Sequence, residues 1–197
     1  ATLQALGLAR PAIIGNSMGG TYLAEMLAAE QPLVEAGVAV LVSAGGRVPF
    51  NEARKRILSY DLTVDSMRRI IRTMTYSARF AEDEEYVRWR HRLSLEPGAW
   101  QCAESARLRP PGSEIGGEFG KPDRTRYERI GIPVHVIAGR EDPLRDPGYA
   151  EELAARLPDS RLSVYPECGH LPNIEHPDRF VGDVTRFLDE RYRPSAG

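Results

Sequence analysis

Apolar positions recur along this chain in two rhythms, and the changes between them mark out the elements. Ala12 to Ile14 form a short apolar run that ends in Gly15-Asn16-Ser17-Met18-Gly19-Gly20. Leu23, Met26 and Leu27 then fall at helical spacing, predicting a helix from Thr21 to Gln31 that Pro32 ends. Gly37 to Ser43 (GVAVLVS) is apolar without interruption, which predicts a strand covered on both faces, as in a parallel sheet. Strand signal returns at Ile132 to Ala138, followed by a helix from Pro147 to Leu157 and an alternating strand at Arg161 to Tyr165. A last helix from Pro177 to Tyr192 carries Phe180, Val181, Val184, Phe187 and Leu188 on one face. Leu3, Leu6 and Leu8, ahead of Arg10-Pro11, read as the end of a helix. Strands alternating with helices predict βαβ units and an α/β fold with a mostly parallel sheet and flanking helices.

The rhythm breaks between Val48 and Lys121. Charge density rises there, and Met67, Ile70, Ile71 and Met74 recur at helical spacing without a strand signal. Leu108 to Gly120 is rich in Pro and Gly. The expected organisation is a core at 1–46, a helical cap and linker at 47–121, and core again at 122–197. At 197 residues and 42% hydrophobic, the chain is long enough for one substantial core.

Composition narrows the function classes. The 26 basic residues are almost all Arg and are interleaved with 28 acidic ones, for a net charge of −2, which argues against a nucleic-acid partner. The longest apolar run, Val38 to Val42 with its neighbours, is far short of a membrane span, and no charged-then-apolar leader is visible. Two cysteines, Cys102 and Cys168, make no disulfide framework, so a reducing cytoplasm is expected. No H-x-x-x-H or C-x-x-C pair offers a metal site, and no cofactor is expected. The chain opens at Ala1, inside an apparent helix end, and reads like a fragment whose front part lies elsewhere.

The candidate chemistry gathers around Ser17. Strand, small-x-Ser-x-small and helix in that order are the context of a nucleophile elbow. Gly15 and Gly19 are expected to flank the serine because a Cβ at either would clash. A serine hydroxyl needs a base within hydrogen-bond reach, itself oriented by an acid. Functional groups of open parallel sheets collect at the carboxyl ends of strands. Asp142 falls just beyond the strand at 132–138 and His170 just beyond the strand at 161–165, with Glu141 as the fallback acid. His135 lies mid-strand and reads as a core or sheet-face residue. His176 starts the last helix and reads as a cap or surface residue. His91, in the insertion, reads as a solvated helix residue that could touch substrate. Asp146 and Asp159 read as helix caps.

From its nucleophile strand to its C-terminus the chain resembles the α/β-hydrolase superfamily. The matches are Gly15-Asn16-Ser17-Met18-Gly19-Gly20, Gly139-Arg140-Glu141-Asp142, and Cys168-Gly169-His170 with Glu175-His176-Pro177 after it. The resemblance implies Ser17 as nucleophile, Asp142 as acid, His170 as general base, and the Met18 N–H as an oxyanion-hole donor. A nucleophilic Asp would have pointed to dehalogenases or epoxide hydrolases, and Ser17 argues against both.

Within the superfamily, GNSMGG resembles the meta-cleavage-product hydrolases, which split carbon–carbon bonds in ring-fission products of aromatic degradation. So do Tyr60-Asp61-Leu62 through Met67-Arg68-Arg69-Ile70-Ile71, and Arg90-His91-Arg92-Leu93-Ser94-Leu95-Glu96-Pro97-Gly98. This resemblance implies a small carboxylate substrate of the 2-hydroxy-6-oxo-dienoate type, with Arg90 pairing its carboxylate and Asn16 helping to hold the dienoate. One departure is Leu171-Pro172-Asn173 where many such enzymes carry Trp directly after the histidine, which keeps a carboxylesterase, lactonase or thioesterase as the alternative. A non-catalytic binding protein of the same fold is the rival from another class, and homo-oligomerisation is left open.

The family's sheet usually begins with several strands before the elbow, together with a loop that gives the second oxyanion donor, and this chain shows neither. Losing one such donor costs about 10²–10³ in rate. The isolated chain is therefore expected to be weakly active or inactive, with Ala12 to Ile14 as an apolar edge liable to self-association.

Overall fold

The uninterrupted apolar runs fold as strands covered on both faces. A computed structural model describes residues 2–99, 102 and 119–193. Its sheet contains β1 (Ala12–Asn16), β2 (Val38–Val42), β3 (Val134–Gly139) and β4 (Ser160–Tyr165), hydrogen-bonded in chain order. All three pairings are parallel, with Gly15 opposite Leu41, Leu41 opposite Val136 and Val136 opposite Leu162. Every residue of β2 and β3 is buried. Side chains alternate across the sheet, so each strand feeds two cores. Ala39, Leu41, Val134, Val136 and Ala138 join one cluster, while Val38, Val40, Val42 and Ile137 join the other.

Helices cover both faces. In chain order they are α1 (Thr2–Ala5), α2 (Met18–Ala28), α3 (Glu52–Leu58), α4 (Val64–Met74), α5 (Arg79–Glu82), α6 (Glu84–Ser94), α7 (Tyr149–Arg156), α8 (Pro172–Glu175) and α9 (Pro177–Arg191). Leu23, Ala24 and Leu27 of α2 and Ala150 and Leu153 of α7 pack on the first face. Val184 and Phe187 of α9 pack on the second. The helix after the elbow begins at Met18, ahead of the expected Thr21, because the serine turn leads straight into helical backbone.

Helices α3 to α6 carry their own cluster of Tyr60, Met67, Ile70, Ile71, Ala81 and Val87. Their starts are capped by side chains: Asn51 accepts from Arg54 N, Thr63 from Ser66 N and Asp83 from Tyr86 N. The expected Pro- and Gly-rich linker, Leu108 to Gly120, lies outside the described residues up to its last two positions. Among the described residues, no helix is long and apolar enough to cross a membrane.

Two expected caps are corrected. α7 starts after Gly148 in the left-handed region, without a side-chain cap, and Asp146 instead pairs with Arg47 at 2.9 Å. Asp159 pairs with Arg191 while its carbonyl accepts from Val134 N. Both carboxylates pair with an arginine instead of capping a helix.

Candidate active site

Ser17 stands where β1 turns into α2, at φ 50° and ψ −117°, a conformation that costs about 1–3 kcal/mol for a residue with a Cβ. The turn is held on three sides. Ser17 N donates to Val42 O at 2.8 Å, Thr21 N donates to Ser17 O at 3.0 Å, and Thr21 Oγ1 accepts from Gly45 N at 3.2 Å. A Cβ on Gly15 would lie 2.4 Å from Gly20 Cα, and one on Gly20 would lie 2.4 Å from Gly15 O and 2.5 Å from Ala44 Cβ. Nothing lies within 4 Å of a Cβ on Gly19, so the expected steric role of Gly19 belongs to Gly20. The strand and helix cross at Gly15 and Gly20, whereas Gly19 faces outward on the exposed side of the turn.

The loops beyond β3 and β4 deliver the other two groups. His170 Nε2 lies 2.7 Å from Ser17 Oγ, and His170 Nδ1 lies 2.7 Å from Asp142 Oδ2. Both partners of the second bond are buried. A carboxylate can only accept, so this bond requires the imidazole proton on Nδ1 and leaves Nε2 as the acceptor for the serine hydroxyl. Asp142 is fixed in turn by Leu144 N, which donates to Oδ1 at 2.9 Å. The two loops are also stitched to each other. Glu141 N donates to Cys168 O at 3.0 Å, and Cys168 N donates to Glu141 Oε2 at 3.0 Å. Glu141, the fallback acid, is thus turned onto the histidine loop's backbone rather than onto the imidazole.

The remaining candidates separate. His135 is buried on β3, 3.0 Å from Ser163 Oγ, and desolvation lowers its pKa to about 4. His176 Nε2 meets Glu167 O at 3.1 Å, and His91 Nε2 meets Leu62 O at 2.9 Å. Asn16 donates to Val42 O at 3.4 Å, and Arg90, half-buried on α6, donates to Tyr86 Oη at 3.3 Å. Met18, whose side chain is exposed, opens α2, where the first N–H groups have no intrahelical acceptor. A cleft of about 860 Å³ between α2 and residues 121–129 has none of Ser17, Asp142 or His170 in its lining.

A family model described as "Alpha/beta hydrolase family" matches residues 1–184. The chain belongs to the alpha/beta hydrolase family. Its relatives include a 2-hydroxymuconate semialdehyde hydrolase of Pseudomonas putida, 30% identical over 188 residues that cover 95% of this chain and 66% of that protein. Among solved structures, a meta-cleavage product hydrolase from Pseudomonas fluorescens IP01 superposes with a TM-score of 0.80 at 24% identity, over 96% of this chain and 68% of that one. The esterase RhEst1 from Rhodococcus sp. ECU1013 gives 0.71 at 24% identity, over 97% of this chain and 70% of that one. This alpha/beta hydrolase chain thus spans just under two thirds of the length of that Pseudomonas putida relative.

Two residues of the site had no assigned role in the sequence. Arg145 is buried three positions after Asp142 and donates to Ser43 O at 2.7 and 3.1 Å and to Gly45 O at 2.8 Å, tying the acid loop to the end of β2. An isolated Arg in a loop gives no signal of this. Glu175 is buried beside the histidine loop, accepting from Gly169 N at 2.8 Å. Its only sequence signal was its place in Glu175-His176-Pro177.

Proposed function

We propose that this chain carries the nucleophile, base and acid of a serine hydrolase, with Ser17, His170 and Asp142 in those roles. The observation that carries the reading is the unbroken hydrogen-bond chain of 2.7 Å from Ser17 Oγ to His170 and 2.7 Å from His170 to Asp142. As Ser17 Oγ attacks a carbonyl carbon, Nε2 of His170 takes the hydroxyl proton, and Asp142 stabilises the resulting imidazolium. The Met18 N–H, at the start of α2, donates to the oxyanion. His170 then returns its proton to the departing group, and water releases the acyl group from Ser17 with His170 again as base.

The substrate class we propose is a 2-hydroxy-6-oxo-dienoate from aromatic ring fission. The names of the relatives and the cap segment ending at Gly98 support it. Ketonisation of the dienol comes first. Attack at the distal carbonyl then forms the serine ester as the adjacent carbon–carbon bond breaks. The leaving carbanion is delocalised into the conjugated keto acid, and its protonation gives the hydroxydienoate, while hydrolysis of the ester gives a carboxylic acid. Arg90 pairs with the substrate carboxylate through its planar fork, and Asn16 steadies the dienoate.

An ester, lactone or thioester substrate is the second reading, supported by Leu171 directly after the histidine. A yellow meta-cleavage product should bleach slowly in the presence of the protein, and Ser17→Ala should stop the bleaching. Cleavage of phenyl esters with no loss of yellow colour would favour the second reading. A serine unreactive toward a fluorophosphonate probe would favour a non-catalytic binding role for the fold.

A further inference from the structure

The His170 backbone is braced from the cap as well as from the sheet. Glu175, the last residue of α8, is a buried carboxylate whose hydrogen-bond donors come from two separate segments, one near it in the chain and one far away. Oε2 accepts from Tyr76 N at 2.7 Å and Ser77 N at 3.3 Å, in the turn between α4 and α5. Oε1 accepts from Gly169 N at 2.8 Å, with the Cys168 thiol 3.9 Å away. The same contact is reinforced by His170 N, which donates to Met74 O at 2.7 Å. The approach leaves no room for a side chain, since a Cβ on Gly169 would lie 2.6 Å from Met74 O and 2.9 Å from Tyr76 N. A buried carboxylate is costly unless its lone pairs are filled, and here backbone N–H groups from both segments fill them.

We propose that Glu175 is a positioning residue that locks the histidine loop to residues 74–77, so that the cap helices and the His170 imidazole hold one register. The proposal rests on the hydrolase reading for its effect on rate, but the lock itself is a property of the fold. Met74 ends α4 and residues 75–77 follow directly, and α4 packs with α6 in one apolar cluster. Displacement of the cap therefore drags Gly169 and His170, and the Ser17–His170 bond with them. Glu175→Gln keeps the shape but turns one acceptor oxygen into a donor, which must then face either Tyr76 and Ser77 or Gly169. Misplacement by about 1 Å at a reacting group can cost 10²-fold.

Hydrogen exchange of the full chain, wild type and Glu175→Gln, is one arm of the test. A fluorophosphonate labelling rate, with peptide mass mapping to locate the adduct on Ser17, is the other. In the wild type, the Tyr76 and Gly169 amides should exchange through one shared opening. In Glu175→Gln both segments should exchange faster while β2 and β3 do not change, and labelling should slow by about 10–100-fold. Glu175→Asp, which keeps the charge, should recover part of that rate. Independent exchange of the two segments in the wild type overturns the proposal, and so does wild-type labelling in Glu175→Gln. Absence of labelling in the wild type counts against the hydrolase reading alone, because the exchange arm still decides the lock.

Discussion

A single side chain can register the acidity of the medium chiefly through burial. His135 sits in the middle of β3, fully covered, with its ring 5.1 Å from that of Phe187. Desolvation pushes its pKa down to about 4; the Asp183 carboxylate opposes the shift and Arg161 adds to it. The folded state therefore binds fewer protons than the unfolded chain between about pH 4 and 6.5. Its contribution is fully present above about pH 6.5 and is lost as pH falls toward about 4, an effect on the order of 3 kcal/mol. Urea midpoints measured across that range should fall less steeply with acidification in His135→Leu than in the wild type. Parallel profiles would show that His135 accepts its proton without penalty. The same lesson of context applies at the elbow: Gly15 and Gly20 are needed by contact, and Gly19 is not.

Elements here are set by local chemistry at their ends and by packing along their length. The α4 helix repeats its apolar residues on one side, burying Met67, Ile70 and Ile71 while Arg69 and Arg72 face outward. α6 is capped by Asp83, whose carboxylate accepts from Tyr86 N at 3.0 Å. Asp83→Ala should cost about 1 kcal/mol, the usual worth of such a cap. Asp146→Ala should cost less, because that carboxylate caps nothing and its pair with Arg47 is exposed on both sides. Equal losses in chemical denaturation would mean that Asp83 contributes no capping energy. These ends were only partly legible. Asn, Thr and Asp are all good cap residues, but whether one caps depends on which donor or cation the fold brings nearest, as Asp146 and Asp159 illustrate.

At the scale of the whole molecule, β1 is an edge of the sheet among the described strands. β1 pairs with β2 alone among the described strands, and Ile14 is 49% exposed at that edge. Beside it runs a groove of about 510 Å³ lined by Leu3, Leu8, Ile13, Ile14, Leu23 and Met26. An edge with free backbone donors and acceptors next to apolar surface is a template for pairing with another chain. The chain of residues 1–197 should therefore sediment faster than its 21.9 kDa mass, and Ile14→Lys should move it back toward the monomer. A monomer at all concentrations would show that the edge is already shielded.

Read from sequence, the parallel α/β architecture, the order of the strands' apolar runs and the Ser17, Asp142 and His170 candidates all followed from local rules. Continuous apolar runs bury on both sheet faces, a strand–turn–helix with small residues makes an elbow, and chemistry collects where parallel strands end. Those rules act over a few neighbouring residues, so they are written in the order of the chain. Gly20 in place of Gly19, Glu141 on the Cys168 backbone, Arg145 on the Ser43 and Gly45 carbonyls and Glu175 between residues 76–77 and the histidine loop were decided only in three dimensions. Each depends on which distant backbone groups lie within about 3 Å, a distance that hydrogen bonding and close packing demand and that spacing along the chain does not encode.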